Sequence, residues 1–194
     1  QFGGLLNFKL KESTTQKPIS LLLRNSIGSN SLYTNFTQVS GKLGKWRYTS
    51  FFNLKNGNGF RPNSKFNSSN VFFKLSHDIS KDTQVSAEIT YLDYLAQQAG
   101  GLSDNLFQEN PYQSNRERNW FGLYWFLYNF KLEHELSKKS NLSLNVFGLN
   151  AQRNAIGFRS NRVSQIDPNQ ERDLIKGDFN NYGLELRWLQ KYNI

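Results

Sequence analysis

The chain alternates apolar and polar residues with a period of two over several long stretches. In the stretch 45–53, one face carries Trp46, Tyr48, Ser50 and Phe52, and the other carries Lys45, Arg47, Thr49 and Asn53. The pattern recurs over 70–79, 84–91, 141–153 and 182–188, and less clearly over 17–27 and 32–40. Because the side chains of a β-strand point alternately to the two faces of its sheet, this period predicts strands with one apolar side.

The stretch 120–136 is nearly continuous in apolar and aromatic residues through Phe130, and alternation returns only after that point. A strand of this kind is expected to have apolar surroundings on both faces, with membrane lipid on one and packed loops or a plug on the other. Counting this stretch, the chain contains about eight predicted strands.

The connections between these strands alternate between tight and long. The tight ones are predicted at 41–44, 80–83 and 137–140, and the long ones at 56–69, 96–118 and 154–177. Outer-membrane barrels have short periplasmic turns and longer extracellular loops. The rhythm therefore predicts an all-β fold, an antiparallel up-and-down transmembrane β-barrel segment.

A soluble β-sandwich is the alternative, since its strands alternate in the same way. The long strands and the strict parity of short and long connections favour the membrane barrel.

Composition agrees with a barrel and excludes other classes. Hydrophobic residues make up 37% of the 194 residues, and no apolar run approaches the roughly 20 residues that a spanning helix needs. The 15% of aromatic residues argues against disorder, and the absence of cysteine excludes disulfides and Cys-based metal sites. The chain begins at Gln1 without a signal peptide, so we expect an interior segment of a longer protein.

Three further segments carry a recognisable order of motifs. Gly3-Gly4 precedes an apolar stretch that ends at Lys11, a Gly-Phe-Arg-Pro-Asn run occupies 59–63, and the segment 94–104 is followed by 114–121. Together these segments resemble TonB-dependent outer-membrane receptors of the ferric-citrate type. The resemblance implies that residues 1–12 are the C-terminal end of a plug domain and that 13–194 form the N-terminal part of the barrel. The chain would then hold about eight strands of a 22-stranded barrel, an open curved sheet in isolation.

The same resemblance implies active uptake of an iron chelate such as ferric citrate across the bacterial cell outer membrane. The TonB complex would act through an N-terminal region that this chain does not contain. The barrel wall would contact outer-membrane lipid and lipopolysaccharide, and no cofactor is implied. Two alternatives stay open: a TonB-dependent glycan-uptake receptor, and a small eight-stranded structural or adhesion barrel.

Arginine is the residue type expected to bind an anionic chelate, because its planar guanidinium can bind a carboxylate through two hydrogen bonds. The long loops and their strand junctions supply the candidates Arg61, Arg116, Arg118 and Arg153, with Gln97 and Gln98 as neutral donors. Arg116 and Arg118 come first, since they lie where a long loop re-enters the barrel. Alternatively, loop arginines could face lipopolysaccharide or pair with acidic residues of the same loops.

Nucleic-acid binding and catalysis are both disfavoured. The net charge is +9, but the basic residues are spread over turns, strands and loops rather than along one face. The only histidines, His77 and His134, have no partner at metal-ligand spacing, and no G-x-S-x-G or P-loop pattern occurs. We therefore predict neither an enzyme nor a metal site.

Overall fold

Eight antiparallel strands follow one another in chain order within a single sheet. The computed structural model describes residues 16–158, 162–168 and 170–192. The strands are β1 (Ser20–Gly28), β2 (Leu32–Leu43), β3 (Trp46–Gly57), β4 (Phe66–Asp78), β5 (Thr83–Gln97), β6 (Trp120–Ser137), β7 (Ser140–Gly157) and β8 (Asp173–Gln190). One short helix, α1 (Asp104–Glu109), lies between β5 and β6. The predicted all-β up-and-down fold is confirmed.

The sheet is open, because β1 and β8 lie at its two edges and do not pair with each other. The alternative of a closed eight-stranded barrel therefore does not describe residues 16–192 of this structure. None of the helices in the described ranges is long and apolar enough to cross a membrane.

Every long connection lies at one end of the sheet and every two-to-four-residue turn lies at the other, apart from the short β1–β2 turn at the long-loop end. The long loops are shorter than predicted and occupy 58–65, 98–119 and 158–172. The turn predicted at 41–44 is also misplaced. β2 continues through Leu43, so the turn consists of Gly44 and Lys45. The strands extend further than alternation predicts because backbone pairing continues through polar residues that carry no alternation.

The register gives one side of the sheet a continuous set of apolar residues from all eight strands, and we call this side the apolar face. Phe73, for example, is opposite Ser50 of β3 and Ile89 of β5. Leu186 on β8 is on the same face and is 65% exposed. The described residues form one sheet with no second layer over this face, which argues against a soluble sandwich.

Aromatic residues mark the two limits of the apolar face. At the short-turn end, the Trp46 ring is stacked on His77 with ring centroids 4.0 Å apart. Towards the loop end, Tyr91 and Tyr124 meet edge-to-face at 5.4 Å. Beyond this limit the same face becomes mixed: polar residues enter at Asn56, Ser69, Asp93, Asn150 and Asn180, among apolar ones such as Leu95 and Ile156. On β3 the apolar positions run over 46–54, nine residues, close to the roughly 9–11 that a membrane strand needs.

The opposite side, which we call the polar face, carries ion pairs near the short turns. Arg47 binds both carboxylate oxygens of Asp78, at 2.7 and 2.8 Å. Lys74 is 3.7 Å from Glu88 on the next strand. The polar face thus contains charged side chains that satisfy one another in pairs.

An aromatic row crosses the polar face further towards the loops. Phe51 lies 5.4 Å from Phe36 and 5.1 Å from Phe72, measured between ring centroids. Phe72 is only 3% exposed. On β6, Trp125 and Leu127 share this face and Phe126 and Tyr128 lie on the apolar face, so β6 carries apolar side chains on both of its faces.

The pairing register is staggered along the sheet. Trp46 at the start of β3 is level with His77, and His77 with Val85 and then Leu132. From Leu132, β6 continues for five more residues to Ser137. Each short turn from β3 to β7 therefore lies further along the strand direction than the short turn before it.

Residues 1–12, which the resemblance assigns to the end of a plug domain, lie outside the described residues. The boundary between residues 12 and 13 stays a prediction.

Candidate functional site

The three long loops meet at one end of the sheet, and we call residues 58–65, 98–119, 158, 162–168 and 170–172 the loop cluster. Arg61 ties the first loop to the second, because its Nη1 donates to the Gln113 carbonyl at 3.3 Å and its Nη2 donates to the Gly100 carbonyl. Asn63 Nδ2 donates to Ser114 Oγ at 3.2 Å. These contacts fix the Gly-Phe-Arg-Pro-Asn loop against its neighbour.

The second loop is tied to the third in the same way. Asn115 Nδ2 donates to the carbonyls of Gly101 and Val163, at 2.7 and 2.9 Å. Arg116 Nη1 donates to the Gln165 carbonyl at 3.0 Å. The three loops are therefore one hydrogen-bonded unit rather than three independent segments.

Arg116 is buried inside this unit, with 4% of its surface exposed. Its guanidinium carbon lies 5.3 Å from the ring centroid of Phe158, and its Nη1 also donates to the Asn115 carbonyl. This placement favours a role in holding the loops together. The predicted contact with a ligand stays a prediction.

Arg118 and Arg153 are exposed, in contrast to Arg116. Arg118 Nη2 donates to the Gln170 carbonyl at 3.0 Å, at the base of the third loop. Arg153 is on the polar face of β7, with its guanidinium carbon 5.7 Å from the ring centroid of Phe121. Both residues are exposed at the loop end of the sheet, and their predicted contact with a ligand stays a prediction.

Arg61 and Gln97 are brought together at a shallow pocket of about 420 Å³. The pocket is lined by Asn30, Asn58, Gly59, Phe60, Arg61, Pro62, Asn63, Lys65 and Gln97. Gln97 Oε1 accepts a hydrogen bond from the backbone N–H of Lys65 at 3.2 Å. Gln98 is exposed and outside this lining, and its backbone N–H donates to the Asn119 carbonyl at 2.8 Å.

An aromatic pair that the sequence did not reveal lies on the surface of the loop cluster. The rings of Phe60 and Tyr112 have centroids 4.7 Å apart, and the residues are 59% and 57% exposed. They come from different loops, so no local motif could have indicated that they meet. An exposed aromatic pair is a potential contact for a flat or apolar ligand surface.

The three long loops carry only a small excess of positive charge. The three loops contain seven cationic and five acidic residues. Arg172 and Asp167 form a contact pair with side chains only 7% exposed each. Across the described residues, no group of three or more His, Cys, Asp or Glu side chains could hold a metal ion.

Comparison with known proteins identifies the fold but not a family. No family model matches the sequence, and no curated protein matches it. Among solved structures, the chain is similar to the unliganded form of the ferric citrate transporter FecA, with a TM-score of 0.74 and 14% sequence identity. The match covers 94% of this chain and 28% of FecA. At this identity the likeness shows the fold alone, an antiparallel sheet with the form of a β-barrel segment.

Proposed function

We propose that this chain forms part of the wall of a TonB-dependent outer-membrane receptor that takes up an iron chelate such as ferric citrate. The observation that carries the proposal is an open sheet that has one apolar and one polar face and that bears the hydrogen-bonded loop cluster at one end only. Its resemblance to the barrel of FecA supports the same assignment. In this proposal residues 1–12 end the plug and 13–194 build the wall.

The apolar face would contact the acyl chains of the outer membrane, and the polar face would line the passage around the plug. The loop cluster would lie outside the cell, next to lipopolysaccharide. The TonB complex would act through the region preceding this chain, so none of the residues described here is assigned to that contact.

The interlocked loops supply a preorganised support for ligand binding. Hydrogen bonds from Arg61, Asn115 and Arg116 already hold the loops in one arrangement, so less conformational entropy is lost when a ligand binds. Arg118 and Arg153 would then contribute the exposed guanidinium groups that contact the carboxylates of the chelate. Arg61, Gln97 and Gln98 would complete the binding surface from the loops.

The proposal is tested by equilibrium binding of ferric citrate to the full-length receptor, followed by tryptophan fluorescence. The double variant Arg118→Ala/Arg153→Ala is expected to bind about tenfold or more weakly, since each removes a hydrogen bond to a charged group. Lys138→Ala/Lys139→Ala removes the same charge at the opposite end and is expected to bind as the parent does. Failure of the parent to bind ferric citrate would contradict the ligand assignment.

A glycan receptor is the second candidate, and the Phe60–Tyr112 pair favours it because aromatic faces can pack on the apolar faces of sugar rings. Phe60→Ala/Tyr112→Ala is the discriminating variant. Glycan uptake would be supported if this variant lost the oligosaccharide binding of the parent and if neither the parent nor the variant bound ferric citrate. Unchanged ferric citrate binding in this variant is expected if the chelate is the ligand.

A further inference from the structure

Lysine is concentrated in the three turns at the short-turn end. The turns comprise eight residues, Gly44, Lys45, Ile79, Ser80, Lys81, Asp82, Lys138 and Lys139. Four of the eight are lysines and one is acidic. All four lysines are exposed, and we call them the lysine rim.

The rim lysines are close enough to act as one charged surface. Two strands separate successive turns laterally, roughly 10 Å, and the stagger adds about 8 Å along the strands, so neighbouring turns are roughly 13 Å apart, within about two Debye lengths at physiological salt. Lys45 Nζ donates to the Ile79 carbonyl at 3.1 Å, which joins two of the turns. An ammonium group has three donors, so this bond does not saturate Lys45.

Exposed tryptophans on the apolar face lie immediately beside these turns. Trp46 follows Lys45 directly and is stacked on His77. Trp188 is 70% exposed, and its Nε1 donates to Ser140 Oγ at 2.8 Å, next to Lys139. Tryptophan rings at the edge of a lipid-facing surface sit at the level of the lipid headgroups. The rim therefore lies at the depth of the phosphates.

We propose that the lysine rim binds the phosphate groups of anionic phospholipids in the leaflet at the short-turn side. This inference rests on the proposed function, which places the apolar face in a bilayer. The tryptophans favour a lipid headgroup over a soluble acidic polymer, because they fix the distance between the rim and the acyl chains.

The test compares the full-length protein in nanodiscs of phosphatidylcholine alone and in nanodiscs that also contain phosphatidylglycerol. The number of anionic lipids retained by the protein and the shift in its melting temperature are both measured. Each lysine near an anionic membrane surface strengthens attachment by about fivefold. The variant Lys81→Gln/Lys138→Gln/Lys139→Gln is therefore expected to lose at least about tenfold of the preference for phosphatidylglycerol.

The matched control is Lys55→Gln/Arg162→Gln/Lys176→Gln, which removes the same charge away from the rim. It is expected to keep the preference of the parent. An equal loss of the preference for phosphatidylglycerol in both variants would overturn the proposal, because the preference would then depend on net charge and not on the position of the lysines. An equal preference in the parent and in the rim variant would overturn it as well.

Two further measurements distinguish a lipid headgroup from free phosphate, and a failure of this inference from a failure of the proposed function. Inorganic phosphate at a matched concentration is expected to leave the melting temperature unchanged, and stabilisation equal to that by the lipid would overturn a headgroup site. Flotation with phosphatidylcholine vesicles asks whether the protein enters a bilayer at all. Failure to float would contradict the proposed function together with this inference, whereas flotation without a preference for phosphatidylglycerol would overturn the inference alone.

Discussion

Arg116 lies over the ring of Phe158, with its guanidinium carbon 5.3 Å from the ring centroid, and this contact joins the second long loop to the third. A cation over an aromatic ring contributes about 0.5–2 kcal/mol, more when it is desolvated. Because Arg116 also donates to the carbonyl of Gln165, its guanidinium is central to the loop cluster.

Replacing Arg116 by alanine is expected to loosen loops 98–119 and 158–172. The loss of charged hydrogen bonds and of the ring contact would cost about 2–3 kcal/mol. Hydrogen exchange of the loop amides measures this directly, with Lys138→Ala, at the opposite end of the sheet, as the control. Unchanged exchange in Arg116→Ala, together with weaker ferric citrate binding, would instead support a direct ligand contact.

Gly100 is required by the packing of the loop cluster. Its φ is +79°, and an added Cβ would overlap Asn115 Oδ1 and lie 2.7 Å from Arg116 Cγ. Gly100→Ala is expected to destabilise the cluster by more than the roughly 1–2 kcal/mol of the left-handed conformation alone.

Gly44→Ala is the matched control for that substitution, since Gly44 has φ of +58° and nothing within 4 Å of a built Cβ. Only the conformational cost is expected there. Equal losses of stability in chemical denaturation would show that steric overlap at Gly100 has no effect.

The assignment of the two faces predicts opposite responses to a new charge. Phe73→Arg places a cation in the middle of the apolar face and is expected to destabilise the protein in liposomes by about 2–4 kcal/mol. Asn53→Arg, on the polar face of the neighbouring strand, is expected to change stability far less. Unfolding by urea in liposomes provides the measurement. A neutral effect of Phe73→Arg would mean that the apolar face does not meet lipid.

The aromatic row on the polar face is expected to contribute to stability through Phe51, which touches rings on both sides. Phe51→Ala should cost about 2 kcal/mol, because it loses two aromatic pairs as well as buried area. Phe60→Ala is the control, since Phe60 is an exposed loop residue. A double-mutant cycle of Phe51 and Phe72 should give a coupling of about 0.5–1.5 kcal/mol, and zero coupling would contradict the stacking.

Alternation predicts the faces of the clearly alternating strands, and the rhythm of short and long connections predicts the order of the strands. Phe73 and Lys74 are adjacent in sequence, and their assignment to opposite faces is confirmed by the register. Alternation cannot predict where the strands end. Asn67 and Asn154, for example, belong to paired strands although they lie beyond the limit of the apolar face. There, backbone hydrogen bonds hold the strand whatever side chain it carries.

The loop contacts could not be predicted for a different reason. Arg61 meets Gly100 and Gln113 only because β4 and β5 bring two loops together at one end of the sheet. Similarly, nothing local distinguishes the buried Arg116 from the exposed Arg118, two residues further on. Which arginine is buried between the loops and which one is exposed depends on tertiary structure.

The stagger of the register has a consequence for how the strands are inclined. From the turn before Trp46 to the turn after Ser137 the sheet advances by four strand spacings, about 19 Å, while the turns slip by five residues, about 16 Å. If these turns all lie at one membrane surface, the strands lean from the membrane normal by about 40°. That angle lies within the roughly 35–45° at which membrane barrels are wound. The pairing of these eight strands thus already sets the inclination that a wide cylinder requires.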